Sequence, residues 1–548
     1  MADRKTLQAV MISGHTNPSP GFAMQRDLEV CKLVDTTTCI GCKACEVACV
    51  EWNDMPFTPT TFDNTYQTMP QTTAHFWNLI KFNEHQNPDG TIQWLMRKDQ
   101  CMHCADPGCL AACPADGAIV KYANGIVDFN QENCIGCEFC VSGCPFDIPR
   151  FNPATKRVYK CTLCSDRVGE GLEPACIKAC PTGCLKFGSK DDMKFIAEER
   201  AKQLRDNFGW QNAGVYDPQS VGGTHVIYVL HDATDPERYG SLPKNPQIPW
   251  SYTWWKWLAK PVFGTFALLG GLGILIHHVI TARACPSPSL RKRMAPMSAS
   301  SGAIERFDDK ARQTFESAGR TTVYRGELVR HPVYTRALHW TVALFFFLAL
   351  FSGFGIYLPW LFRWFTPIFG GGQLSRIMHP YFGVGFVFFF ALQVLNWLQP
   401  MLWAPGDTRW MLNIKAIASG QEKVDPPETG FFNAGQKVMF WEIVAGCIVY
   451  IITGTILWAG AKTFGGIAVA VSYVLHDISA LIMLGGIFIH IYQSTFGEPG
   501  TFQAMVRGAV SEAWAWTFHP AWYKQATGRD PVQACEESRR AMLSNERR

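Results

Sequence analysis

Sixteen cysteines set in four groups between residues 39 and 180 constrain this chain more than any other feature. The first group reads Cys39-Ile-Gly-Cys42-Lys-Ala-Cys45-Glu-Val-Ala-Cys49, and the second Cys101-x2-Cys104-x4-Cys109-x3-Cys113-Pro. The third is Cys134-Ile-Gly-Cys137-Glu-Phe-Cys140-Val-Ser-Gly-Cys144-Pro, and the fourth Cys161-x2-Cys164-x11-Cys176-x3-Cys180-Pro. A stretch so rich in cysteine, glycine and proline builds no large aliphatic core and needs metal or disulfides to fold. Two-residue spacing lets consecutive thiolates cap neighbouring irons of one cubane, while the fourth cysteine, followed by proline, turns to the other cluster of a pair. At four ligands per cubane, the sixteen thiols imply four [4Fe–4S] clusters. Zinc ribbons use four ligands but not a Cys-x2-Cys-x2-Cys-x3-Cys run, and disulfides leave the spacing unexplained. The repeated Cys-Ile-Gly-Cys at 39 and 134 points to internal duplication. Cys31, Cys184, Cys285, Cys447 and Cys535 read as ordinary residues, Cys447 as packing within a membrane helix.

The rest of the 548 residues are unlike this part. Eighteen of 21 cysteines precede residue 190, whereas the long apolar runs follow residue 260. A formal net charge of +4 gives no support to nucleic-acid binding. Met1 to Pro20 lacks an apolar core segment, so an ordinary signal peptide is not expected. A helix is predicted over 191–208 and a strand over 224–230, then an aromatic cluster, Trp250-Ser-Tyr-Thr-Trp-Trp-Lys-Trp257, that reads as a membrane-interface belt. Five apolar runs, at 262–281, 338–358, 380–400, 438–459 and 471–494, each approach the ~20 residues of a spanning helix. Short loops among the last four suggest a four-helix bundle. Loops 282–337, 401–436 and the tail 495–548 carry 21 Lys and Arg, against 3 in loops 359–378 and 460–470. The first set should face the cytoplasm, which places the cysteine-rich part outside despite its lack of an export signal.

Six histidines lie in or at the ends of these runs, and histidine inside a membrane is a functional candidate by default. His476 and His490 share the last run, 14 residues and therefore ~21 Å apart on one helix face. By helix direction His339 shares a depth with His490, and His379 with His476. Two bis-histidine b haems follow, the first pair toward the cytoplasm and the second toward the periplasm. His277 and His278 read as interfacial. Asn433-Ala-Gly435-Gln436-Lys437 opens the fourth run beside the depth of His490 and offers either hydrogen bonds to a quinone carbonyl or an ordinary helix cap. Glu442 is a candidate for a proton path, or a carboxylate that reaches water; Asp477 lies beside His476.

Residues from about 25 to 282 resemble the iron–sulfur β subunit of respiratory formate dehydrogenase N. The likeness rests on the first cysteine group with Glu51-Trp-Asn-Asp54, Arg97-Lys-Asp-Gln-Cys-Met-His-Cys104, Tyr122-Ala-Asn-Gly-Ile-Val-Asp-Phe129, Arg157-Val-Tyr-Lys-Cys-Thr-Leu-Cys164 and Val221-Gly-Gly-Thr-His225. Residues from about 325 to 525 are similar to the cytochrome b γ subunit, through Ala337-Leu-His-Trp340, Arg376-Ile-Met-His-Pro380, Asn433-Ala-Gly-Gln-Lys437 and the His476/His490 pair. The family has two polypeptides where this chain looks like their fusion. The resemblance implies an α+β, ferredoxin-like poly-[4Fe–4S] domain (1–250), an anchor helix (251–282), a cytoplasmic linker (283–325), a dihaem four-helix cytochrome b domain (326–500) and a cytoplasmic tail (501–548). It implies cluster ligands Cys39, Cys42, Cys45 and Cys180; Cys49, Cys161, Cys164 and Cys176; Cys101, Cys104, Cys109 and Cys144; and Cys113, Cys134, Cys137 and Cys140. A large molybdenum or tungsten bis-pterin subunit would oxidise formate and carry the export signal. Electrons would reach menaquinone or ubiquinone near Asn433, Gly435 and His490, with Gln436 a further candidate, in a multi-pass protein of the bacterial inner membrane that forms a higher oligomer with its partner. A hydrogenase or another molybdoenzyme is the alternative donor.

Overall fold

The computed structural model describes residues 7–13, 29–60, 64–86, 90–240, 242–259, 323–324, 327–357, 359–414, 428–534 and 536–537, with isolated positions between 262 and 273. The expected span at 262–281, His277, His278, Cys285, Cys535 and most of the linker lie outside the described residues. The chain divides into two compact units. One comprises Met1–Lys260, Leu350–Pro380 and Ile456–Val474; the other comprises Pro261–Ala349, Tyr381–Thr455 and Leu475–Arg548.

In the first unit the elements are short because glycine, proline and cysteine interrupt them. A sheet of strands β1 (Gly214–Tyr216), β2 (Val226–Leu230), β3 (Val30–Asp35) and β4 (Leu185–Ser189), in that order, carries the core. Alternation along β3 turns Cys31 and Leu33 toward helix α1 (Lys190–Phe208), where Met193, Ala197 and Leu204 meet them. Val30 and Val34 face the opposite core with Lys32 between them. The helix starts one residue before the predicted 191, capped by the Ser189 hydroxyl on the Asp192 amide. Strands β5 (Leu79–Gln86) and β6 (Ile92–Asp99) pair as an antiparallel hairpin.

The two Cys-Ile-Gly-Cys copies have the same backbone. Gly41 and Gly136 sit at φ +66° and +68°, and Lys43 and Glu138 at 63° and 61°, each just ahead of a short helix, Ala44–Trp52 or Phe139–Gly143. A side chain at Gly136 would stand 2.0 Å from the Lys156 carbonyl oxygen, so only glycine fits this left-handed turn. The Ala44–Trp52 helix packs on Ala175–Lys178, and the Phe139–Gly143 helix on Gly108–Ala112.

The same unit holds the helix ends at 350–380 and 456–474. Gln373 donates to the Thr155 and Lys156 carbonyls at 3.3 and 3.4 Å, Phe362 packs with Ile135, and the Phe139 and Tyr473 rings stand 5.1 Å apart. The aromatic cluster divides between buried and exposed rings. Tyr252 and Trp255 are buried, with the Tyr252 hydroxyl 2.7 Å from Ser142, while Trp250 and Trp254 are exposed.

Among the described residues four helices are long and apolar enough to cross a membrane: α2 (Val333–Tyr357), α3 (Gly372–Trp397), α4 (Ala434–Ala459) and α5 (Gly466–Tyr492). Each begins four to eight residues before its apolar run; in α2, α3 and α4 the added first turn is partly polar, as in Gly372–Ser375, and helical without being apolar. Helix α3 runs through Pro380, which removes one helical amide. In the second unit the helices close a ring. Phe346 meets Phe386 (5.7 Å), Phe390 meets Phe440 (5.9 Å), Gly446 lies under Met483, and His339 faces His490. Residues 509–534 cap this unit around Leu328, Trp514, Trp522 and Tyr523.

Candidate functional site

Four thiol quartets form in the first unit. Cys39, Cys42, Cys45 and Cys180 line one cavity, and Cys49, Cys161, Cys164 and Cys176 a second. Cys101, Cys104, Cys109 and Cys144 line a third. The fourth quartet, Cys113, Cys134, Cys137 and Cys140, shares one core with Phe362; burial and the neighbouring thiols of Cys137, Cys113 and Cys134 push the Cys140 thiol well up. Successive sites are neighbours. Lys98 lines the first and second cavities, the Lys160 ammonium lines the third and donates to the Cys161 carbonyl at 2.9 Å, and Cys109 and Cys140 lie in one cluster of side chains.

All the described cysteines are free thiols. Among the described residues no three His, Cys, Asp or Glu side chains converge on a single ion. One zinc needs its thiolates ~2.3 Å from a common point; quartets spread around a cavity suit a multi-iron cluster instead. The polar groups left over agree. Lys98 Nζ, Gln100 Nε2 and His103 Nε2 are buried donors without a hydrogen-bond partner among the described residues; Lys98 lines the first and second cavities, Gln100 the second and His103 the third. His103 Nδ1 accepts from the Val127 amide at 3.0 Å, so the hydrogen sits on Nε2. Unused donors around a thiol-lined cavity match an anionic cluster with acceptor sulfurs.

Charge supports the same fit. Burial pushes the Cys45 and Cys164 thiols up to about 11, so a metal is what makes them thiolates. Burial also acts to raise Cys176, but the Lys32 and Lys98 ammoniums outweigh it and lower the thiol; Lys32 Nζ lies 3.1 Å from its sulfur. Cys184, read from sequence as ordinary, lines the first cavity with its sulfur 3.5 Å from Cys180. No spacing rule marks it, since it falls outside the four-cysteine count.

The histidines lie on the long helices. In the second unit the His339 and His490 rings stand 6.2 Å apart between centroids. Two metal–nitrogen bonds of roughly 2 Å plus the ring radii give roughly 6 Å across a bis-imidazole metal. Also in this unit, His476 Nδ1 lies 2.9 Å from Thr453 Oγ1, whose own hydrogen goes to the Val449 carbonyl at 2.7 Å. The hydroxyl therefore accepts from Nδ1–H, leaving the lone pair on Nε2, the tautomer a ligand needs. In the first unit His379 Nδ1 lies 3.0 Å from Ser352 Oγ. Glycine follows each hydroxyl residue, and a side chain at Gly353 would come within 3.0 Å of the His379 ring. Sequence reasoning missed both hydroxyls, because Ser and Thr in a membrane helix ordinarily bond back to their own carbonyls.

At the start of α4, Asn433 Oδ1 accepts from the Gln436 amide and Gln436 Oε1 from the Asn433 amide, at 2.9 and 3.0 Å. This reciprocal cap engages both side-chain oxygens. Gly435 lies against the Trp410 ring, and Lys437 pairs with buried Asp407 at 2.7 Å. Glu442 lies over Gly486, and Asp477 is buried.

Two stretches, 38–117 and 92–190, match models of the 4Fe-4S dicluster domain. The chain is 51% identical over 280 residues to the formate dehydrogenase iron–sulfur subunit of Haemophilus influenzae, covering 50% of this chain and 88% of that protein. It is 56% identical over 234 residues to the formate dehydrogenase-O iron–sulfur subunit of Escherichia coli, covering 43% and 77%. The chain belongs to the formate dehydrogenase iron–sulfur subunit family. The nitrate-inducible formate dehydrogenase iron–sulfur subunit of Escherichia coli is 52% identical over 251 residues, 46% of this chain and 85% of that protein. Residues 330–508 match the model of prokaryotic cytochrome b561. This family member is thus a ferredoxin-like iron–sulfur part fused to a helical cytochrome b part, a membrane protein with iron–sulfur clusters and haem b.

Proposed function

We propose that the chain is the electron-transfer and quinone-reducing component of a membrane-bound formate dehydrogenase. The observation that carries this reading is the succession, in one chain, of four neighbouring thiol quartets and a membrane bundle in which His339 and His490 face each other at 6.2 Å. When bound, four [4Fe–4S] clusters and two b haems supply one-electron steps between formate oxidation on a partner subunit and a quinone. The quartets hold the clusters as grouped above. His339 and His490 hold the cytoplasmic-side haem, and His379 and His476 the periplasmic-side haem. Lys32, Lys98 and Lys160 offset the negative charge of the thiolates in a dry interior.

The division into an iron–sulfur domain (1–250), an anchor as the fifth span (251–282), a linker (283–325), a dihaem domain (326–500) and a tail (501–548) belongs to the same proposal. Orientation draws support from packing. The iron–sulfur part shares a unit with the helix ends at 350–380 and 456–474, whose loops are poor in Lys and Arg. That is the periplasmic side by the positive-inside rule. The side-chain amide nitrogens of Asn433 and Gln436, beside Gly435, offer hydrogen bonds to a quinone on the cytoplasmic side, so protons consumed there contribute to a membrane potential. The partner is a large molybdenum or tungsten bis-pterin subunit that brings the iron–sulfur part across the membrane, and the pair assembles further into a higher oligomer.

Replacing His490 or His339 by leucine in the full complex tests the reading. Formate-to-dye activity should persist and quinone reduction should fall at least 100-fold. Unchanged quinone reduction would refute it.

A further inference from the structure

Strand β6 carries an arrangement that cluster binding alone does not require. Alternation places Met96, Lys98 and Gln100 on one side of this strand and the residue that follows it. Met96 and Lys98 line the first cavity, and Lys98 and Gln100 the second, so Lys98 is the one member of the three common to both. The opposite side is fixed by Arg97, which donates to Asp99 at 2.9 Å and to the Tyr239 carbonyl. The Lys98 backbone is pinned by the pairing with Ile80 and by the Tyr228 hydroxyl on its carbonyl at 2.7 Å.

Lys98 is 2% exposed, and its ammonium has no hydrogen-bond partner among the described residues. Glu46, a buried carboxylate in its field, has its oxygens occupied by the Ile80 amide and the Thr68 hydroxyl, both at 2.6 Å. Lys32 and Lys160 are differently placed. Lys32 is committed to Cys176 and Gln100 in the second cavity, and Lys160 to two carbonyls. Leaving a buried ammonium unpaired is costly, and the anionic charge available to it lies in the two cavities it lines.

We propose that Lys98 is a shared cation that sets the reduction potentials of the two clusters held by Cys39, Cys42, Cys45 and Cys180 and by Cys49, Cys161, Cys164 and Cys176. Reduction adds one negative charge to a cluster, and a fixed cation in a low-dielectric interior stabilises that charge. One ammonium between two cavities raises both potentials together and reduces the penalty for holding electrons on both. The inference rests on the cluster reading above.

The test is a redox titration of the full complex followed by electron paramagnetic resonance, with iron content measured on every sample. In Lys98→Met the reduced-to-oxidised ratio at a fixed potential should fall about tenfold, ~59 mV for a one-electron centre, in two of the four cluster signals. The other two should hold, and Lys98→Arg should restore the shifted pair to within about threefold. No shift, a shift in one signal alone, or an equal shift in all four would overturn the proposal. So would loss of iron from Lys98→Arg as well as Lys98→Met, because a restored cation would then not suffice. Absence of cluster signals from the unmodified complex would instead overturn the cluster reading itself.

Discussion

Replacing Thr453 by valine removes one oxygen and keeps the branched shape of the side chain. That oxygen accepts from His476 Nδ1–H at 2.9 Å, while its own hydrogen is used by the Val449 carbonyl at 2.7 Å. The bond is worth about 1 kcal/mol net, and the stranded N–H costs about 1–3 kcal/mol. Oxidised iron withdraws more density through the imidazole than reduced iron, so Nδ1–H is the stronger donor in the oxidised state. If about 0.5–1 kcal/mol of the bond belongs to that state alone, the midpoint of one haem should rise by about 20–40 mV, on the scale of ~59 mV per 1.4 kcal/mol for one electron. Potentiometric titration of the b-haem band in the purified complex resolves this, with Thr453→Ser as the restoring variant. One midpoint should rise and the other hold. A fall in that midpoint, or no change, would refute the assignment of Thr453 as the residue that fixes the His476 tautomer.

Iron analysis should give about 18 irons per chain and negligible zinc; zinc near four per chain with little iron would contradict the cluster reading. Gly136→Ala, which forces φ +68° on a residue whose new carbon meets the Lys156 oxygen at 2.0 Å, should strip iron from the third and fourth quartets. Gly183→Ala, at φ +67° with nothing within 4 Å, should cost only about 1 kcal/mol; equal effects would rule out the steric explanation. Burial acts to raise the Glu29 carboxyl, but His225 at 3.1 Å and Lys190 at 3.4 Å hold it down to about 2. Its folded value is below its ordinary one, so its contribution is complete above about pH 4.5 and is lost as pH falls toward 2. The stability gap between wild type and Glu29→Gln should be flat from pH 5 to 8 and close below that range; a gap unchanged at pH 3 would count against the pairing.

The thiol groups were legible because cysteine spacing encodes ligand geometry directly, and helix direction with a 14-residue interval led to the expectation that His339 faces His490, whose rings stand 6.2 Å apart. Residues whose roles depend on long-range packing were not legible. Lys32 and Lys98 sit in strands where alternation predicts apolar side chains, and only the fold shows that their side faces thiol cavities. Thr453 and Ser352 look like any hydroxyl in a membrane helix until a histidine from another helix arrives. Cys184 has no motif of its own. Tyr252 and Trp255 read as an interface belt because composition cannot distinguish lipid-facing rings from rings packed on protein. Helices α2, α3 and α4 begin ahead of their apolar runs, since such runs mark the hydrocarbon region and partly polar first turns extend beyond it.

The most direct test is to purify the native complex through a tag on this chain, add formate without oxygen and follow the b-haem band. Haem reduction by formate is expected, at an extent approaching that given by dithionite. Haems that dithionite reduces but formate does not would contradict formate as the donor, and a spectrum without haem would contradict the functional reading of the membrane half.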